Sequence, residues 1–581
     1  LSSAAGHELL LGAWGRGDLT VSNGAHVTAD NLTLGGFDVN EAQFDPNMLR
    51  DFGPAAGTGT ATVTGSGSQV SIDQNLTVGY RGTGTLNIEN GGQVTVGAKA
   101  YIGGGPIRLA EGQEFSRDML PTGTGTVTVA GRDSTLTVTD NDTLFIGYSG
   151  TGTLEVNTGG GVVAASTVIG AAPDANGTLV VSDVGSTFSA GDEMDVGAWG
   201  TGHITVSNGG HVTAGNLYVG GFDSSGVSDL PQRVLDNFGL AAGTGTVTVD
   251  QGGQIDVSGQ AYIGYSGTGT ANVTAGGQVV TFGTVVGALT GSSGQITVDG
   301  PDSLWIADYN EAYELATGEP SGQIFIGKSG QGQMTISNGG EVAASDMLSI
   351  SGDTEGMTPL GVETPPTGTV TVIGQDSTLS VGELLVGATG IGTLNILDNA
   401  SVNSHAAGIG VAAGSHGEVL VSNAPGSWTN LGSIFVGGYG EGALTVAAGG
   451  HVSTGNTLYI GGFDPDVFAT DRFYNGTEPN GTGTVTVTGQ DSLVQAFGVG
   501  IGGEGTLEIL NGGRLESQIG VVGAGASGNG TVVVDGNDST WYLGGSGGSA
   551  AGRARRRPRQ CHYLQWRPGA ARWAELGPAG G

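Results

Sequence analysis

The sequence predicts an all-β chain wound into a single parallel β-solenoid of about eighteen three-strand coils. Three observations predict it. A self-similar unit of about 24 residues recurs along nearly the whole chain, apolar and small polar residues alternate inside each unit, and the 117 glycines among 581 residues cluster between the short alternating runs.

The unit is plain in "GTGTLNIENGGQVTVGAKAYIGGG" (82–105), "GTGHITVSNGGHVTAGNLYVGGFD" (200–223) and "GEGALTVAAGGHVSTGNTLYIGGFD" (440–464). Each gives three runs with a period of two, rich in Val, Ile, Leu and Thr, which is the pattern of a half-buried strand. Asn-Gly and Gly-Gly between the runs supply the positive φ of tight corners. Three strands without a helix cannot close a core alone. Stacked in parallel, each strand pairs with its equivalent one coil away at about 4.8 Å, so eighteen coils would extend roughly 85 Å. A helical solenoid is excluded by the glycine content and the period. A propeller would need blades of about 40 residues with four strands.

The units alternate between two types. One turns through "NGG" or a relative (Asn90, Asn208, Asn338, Asn511), the other through "GxDS" or a variant, as in "GRDST" (131–135), "GQDST" (374–378) and "GNDST" (536–540). The Asp-Ser pair is expected to cap its own turn by side-chain hydrogen bonds. The unit at 243, "DQGGQ", departs from its expected type.

Charge narrows the function classes. Lys and Arg number 18 against 53 Asp and Glu, a net charge of −35, and such a surface repels nucleic acid and anionic membranes. No apolar run is long enough to span a bilayer as a helix. The start lacks a secretory signal, and "ELLLGAW" (Glu8 to Trp14) matches "EMDVGAW" (Glu193 to Trp199), so the sequence is expected to begin inside a coil. Cys561 is the sole cysteine, which excludes a disulfide scaffold and a zinc-cysteine site.

The alternation of "GTGTLxIxNGGxV" with "GTVTVxGxDSTL" units resembles the repeats of autotransporter (type V secretion) passengers and PEP-CTERM-associated surface proteins of bacteria, over about residues 7 to 550. That resemblance implies a right-handed β-helix at the extracellular or outer-membrane surface. It also implies a membrane-linked anchor or translocator outside this sequence, with no membrane insertion by the segment itself.

Insertions interrupt the period at 38–56, 105–122, 223–242, 307–322, 351–366 and 463–480. Five follow the third strand of an "NGG" coil and are expected to leave one edge of the solenoid. The sixth, "ADYNEAYELATGEPSG", falls between a second and a third strand. The insertions 45–60 and 230–246 carry Pro followed by Leu and Phe at helical spacing. Two readings stand side by side. The apolar residues fold back onto the coil beneath, or Phe44, Asp51, Phe238, Phe468 and Phe473 form a contact surface for a glycan, a protein or a cell.

No catalytic, cofactor or metal site emerges from the sequence. A polysaccharide lyase needs a base and often calcium ligands, yet only Lys99, Lys328 and nine scattered arginines precede residue 551. A hydrolase needs two carboxylates at fixed separation, and no acidic cluster stands outside the repeats. His26, His211 and His451 share one repeat position and read as outward side chains. "GAGASG" (523–528) precedes a strand rather than a helix, and neither "DNDT" (140–143) nor "FDPDVFATD" (463–471) fits a calcium loop. The expectation is a non-catalytic adhesive or structural surface module; the alternative is a carbohydrate-active β-helix enzyme.

Residues 551–581 break every rule of the preceding chain, with seven of its sixteen arginines between Arg553 and Arg572. Codons for Cys561 to Arg567, read one nucleotide later, can encode Val-Thr-Ile-Ser-Asn-Gly, close to "TISNG" at 335–339, and an "NGG" coil is due at that place. The tail therefore reads as repeat DNA translated out of frame and is expected to be disordered; a basic tether is the other reading. Resequencing the DNA for residues 540–581 should reveal a frame shift near 544–552, and an intact single frame in independent DNA would end the idea.

Overall fold

A computed structural model describes residues 8–37, 55–106, 119–139, 142–222, 242–352, 365–423, 426–462, 480–524 and 528–544. The tail at 551–581 lies outside them. The chain divides into two compact units: Leu1–Asp353 with Val362–Glu383 and Ala400–Val402, and Thr354–Gly361 with Leu384–Asn399 and Asn403–Gly581. Each is a stack of parallel β coils, the fold class the repeat predicts.

One coil of the first unit shows the rule. Its strands are Thr83–Glu89, Gln93–Val96 and Ala100–Ile102. Alternation sends Leu86, Ile88, Val94, Val96 and Ile102 inward, where each is almost wholly buried, while Thr85, Asn87 and Thr95 face out. The first strand pairs in parallel with Thr58–Thr64 of the preceding coil and Thr124–Ala130 of the next, Thr to Thr and Gly to Gly, without a register shift. In the second unit, first strands Ile391–Leu397, His416–Ser422, Glu441–Ala447, Thr482–Thr488, Glu504–Leu510 and Thr531–Asp535 pair the same way in turn.

Stacking turns one inward position into a continuous apolar ladder, such as Leu86, Val127, Leu154, Leu179 and Ile204, all buried. Each such side chain contributes roughly 1.5–3 kcal/mol by leaving water, and none could do so in an isolated coil. The largest inward residues receive polar accommodation from the coil before. The indole N–H of Trp305 donates to Thr284 Oγ1 and that of Trp428 to Ser404 Oγ, both at 3.0 Å.

The corner between the third strand and the following first strand is closed by backbone alone. Gly103 has φ +77, and a Cβ placed on it would sit 2.2 Å from the carbonyl of Thr151. Gly125, the second residue of its strand, has an ordinary φ, yet its Cβ would sit 2.1 Å from Val78 O and 2.5 Å from Gly103 N. Main chains of successive coils therefore touch at this corner, and only glycine fits. Ser351 is an instructive exception: it holds φ +70 at the position of Gly103, fully buried, with its hydroxyl donating to Pro366 O at 2.7 Å.

The two coil types interlock. In an "NGG" corner Asn90 has φ +53 and Gly91 +85, which leaves the Gly91 N–H without a partner in its own turn. Ser134 of the next, "GxDS", coil accepts that N–H at 3.0 Å and donates to Ala130 O at 2.7 Å. The same pairing joins Gly24 to Ser68, Gly159 to Ser186, Gly276 to Ser303, Gly339 to Ser377, Gly449 to Ser492 and Gly512 to Ser539, all at 3.0–3.1 Å. The serine caps its own turn, as the sequence suggests, and also caps its neighbour's. The coil at 243, with Gln251 and two glycines at its corner, offers no serine to Gly209.

Two predictions follow from these corners. Gly125→Ala should destabilise the stack by about 3 kcal/mol or more, because neither backbone can yield. Gly24→Ala, at φ +76 with nothing within 4 Å, should cost only about 1 kcal/mol; urea unfolding compares the two, and equal costs would refute the corner account. Ser134→Ala should cost about 1–3 kcal/mol by stranding a buried N–H, and should speed hydrogen exchange at Gly91 specifically.

Candidate contact surfaces

Five insertions begin just after a third strand, at the ends of Asn31–Leu34, Ala100–Ile102, His211–Val219, Glu341–Ile350 and His451–Ile460. They thus leave the chain at one recurring position of the coil, as their spacing predicts. Phe44, Asp51, Phe238, Phe468 and Phe473 lie outside the described residues.

The roots of two insertions are built alike. Phe37 and Phe222, the last described residues before residues 38 and 223, are buried, and each meets a tryptophan of the preceding corner edge-on: Trp14 at 5.0 Å and Trp199 at 4.8 Å. The insertion therefore departs from an aromatic anchor rather than a slack turn.

The sixth insertion is described throughout and does run between a second strand, Leu304–Ala307, and a third, Gln323–Ile326. It holds a short helix, Glu311–Thr317, which the sequence reading missed. Its signals were present: Asn310 caps it by accepting from the Tyr313 N–H, and Gly318 ends it at φ +76. Glu314 accepts from the backbone N–H and hydroxyl of Ser321 at 2.8 and 2.9 Å, closing the loop. Tyr313 packs against Phe282, and Gln260 donates to Pro320 O at 2.8 Å. What remains outside is acidic, with Leu315 and Tyr309 projecting at 81% and 53% exposure. The Tyr309 phenol is held above its ordinary pKa, by desolvation first and then by Glu314 and Glu311.

A second feature escaped the sequence reading. The middle residue of a third strand alternates away from the core, and where two successive coils both place an aromatic residue there, the rings stack. Tyr101 and Phe145 lie parallel at 5.2 Å, Tyr218 and Tyr262 at 4.8 Å, Phe435 and Tyr459 at 4.9 Å. Tyr148 closes the first pair edge-on at 5.2 and 5.1 Å, and Tyr265 the second at 5.1 and 5.3 Å. The shared "IGYSG" at 146–150 and 263–267 is the sequence signal for these trios. Burial, then neighbouring Tyr262 and Glu193, pushes the Tyr218 phenol well above its ordinary pKa. Asp195 interrupts the row between Val168 and Tyr218 and is itself buried.

Among the described residues outside these features, histidines meet carboxylate or amide neighbours. His211 Nε2 lies 2.8 Å from Asp256, His451 Nε2 lies 3.1 Å from Gln495, and His26 is exposed. His416 bridges Glu418 and Glu441 at 3.0 and 3.3 Å; the hydrogen bond to Glu418 raises its pKa most. Among the described residues no three His, Cys, Asp or Glu side chains are grouped to hold a metal ion, and no helix is long and apolar enough to cross a membrane. The acidic stretch 463–471 and part of "DNDT" lie outside those residues.

Parallel coils with insertions rooted at one recurring position define a parallel β-solenoid that carries edge insertions. No family model matches the chain. In sequence it is 30% identical over 228 residues, 38% of its length, to the uncharacterized lipoprotein YdeK of Escherichia coli strain K12. It is 35% identical over 142 residues, 23% of its length, to the Adhesin BmaC autotransporter of Brucella suis biovar 1. The matches span only 14% and 4% of those proteins. A crystal structure of a TibC-catalyzed hyper-glycosylated fragment of TibA aligns over 79% of this chain and 99% of that one, at 13% identity and a TM-score of 0.21. The similarity to an autotransporter adhesin places the chain among extracellular or outer-membrane surface proteins.

Proposed function

We propose that the chain is a non-catalytic adhesive module of the bacterial surface, which contacts a glycan, a protein or another cell through its extended face and its edge insertions. The observation that carries this reading is the common rooting of five insertions after equivalent third strands, two of them on a buried Trp–Phe anchor. Periodic display suits avidity, because weak contacts repeated along one edge raise the effective concentration of the next. Partial similarity to an adhesin supports the reading.

The test replaces residues 223–241, and separately 38–54, by a short Gly-Ser link and measures attachment of purified full chain to bacterial cells, epithelial cells and an immobilised glycan panel. Far-ultraviolet circular dichroism should be unchanged and attachment should drop at least several-fold. Attachment unaltered by either deletion would refute the role of the insertions, and turnover of a polysaccharide by the intact chain would refute the non-catalytic reading.

A further inference from the structure

The outward face of the first-strand sheet carries a regular lattice that the adhesive reading does not use. Over eight consecutive coils of the first unit, from Thr58 and Thr60 to Thr268 and Thr270, the first and third strand positions make sixteen outward sites. Fourteen are threonine; the exceptions are Asn176 and His203. The first column is mostly exposed and the third half-buried. None of the sixteen is Asp, Glu, Lys or Arg, in a chain of net charge −35.

Strand propensity does not account for this. Threonine favours any strand position that faces water, and cross-strand threonine pairs stabilise a sheet generally. The fifth position of the same eight strands has the same backbone and the same exposure to solvent, yet it holds Asn87, Glu155, Val180 and Asn272 besides threonine. Uniformity is confined to the two columns that flank the corner glycine, where Gly84, Gly125 and their equivalents are locked against neighbouring main chain.

The lattice is also rigid and regular. All seven pairings across it run residue to residue without a shift. Its repeats are therefore about 4.8 Å between coils and about 6.6 Å along each parallel strand. Each of the fourteen threonines offers one hydroxyl and one methyl group. Hydroxyls at a fixed two-dimensional spacing hold water in a matching array, and methyl groups between them keep that water from exchanging freely into bulk.

We propose that this threonine lattice binds the surface of ice, a solid whose oxygen atoms also repeat in two directions at distances of a few ångström. The occupant is the solid phase of water: the sixteen sites hold no carboxylate, ammonium or guanidinium, and the rows keep one register. This inference stands apart from the adhesive reading, which rests on the insertions.

The test measures thermal hysteresis of the full chain in a nanolitre osmometer and uptake of the labelled chain into a growing ice hemisphere. The intact chain should give a hysteresis gap and enter the ice. Thr126→Tyr with Thr153→Tyr, which breaks the lattice at its centre, should reduce both to the level of buffer. Ser71→Tyr, on the outward face of a second strand, should leave both unchanged. Thr126→Lys serves in place of the tyrosine pair should that pair fail to fold by circular dichroism. Exclusion of the folded, intact chain from ice would overturn the proposal, as would an equal loss in the Ser71 variant.

Discussion

The structure depends on the contact of main chain with main chain at the corner where one coil hands over to the next. Gly103 and Gly125 leave no room for even one methyl group there. That closeness fixes where each first strand starts, and it aligns every strand of one coil with its equivalent in the next. Continuous apolar ladders and the unbroken first-strand registers follow from it. The hydrophobic interior fixes which face of a strand turns inward; the corner fixes its position along the chain.

Much of this was legible in the sequence because the determinants are local. Period-two runs gave the strands, Asn-Gly and Asp-Ser gave the corners, and repetition supplied the parallel stacking. The position of the insertions could be read from breaks in the period. The helix Glu311–Thr317 was equally local, with Asn310 and Gly318 marking its ends, and was passed over because seven residues inside an insertion make a weak periodic signal. The cross-coil role of Ser134 was harder to see, since its partner Gly91 lies 43 residues away.

The aromatic trios were illegible for a different reason. A tyrosine in the middle of a three-residue strand carries no periodic information, and whether it is solvated or stacked depends on the residue one coil on. Tyr101 meets Phe145 one coil on and stacks on it, whereas Phe325, at the same strand position, meets Ser349 one coil on. The loop residues chosen from sequence, Phe44 to Phe473, could be located on the repeat but not given surroundings, because nothing in a repeat dictates what an insertion does once it has left the coil.

The serine bridge between unlike corners has a consequence for how such a chain can change length. In seven places a corner that needs an acceptor is followed by one that supplies it, and excising either coil of such a pair would break its bridge. Removing or duplicating a neighbouring pair preserves every bridge. Lineages of this architecture should accordingly expand and contract in even steps, with the doublet rather than the single turn as the heritable unit.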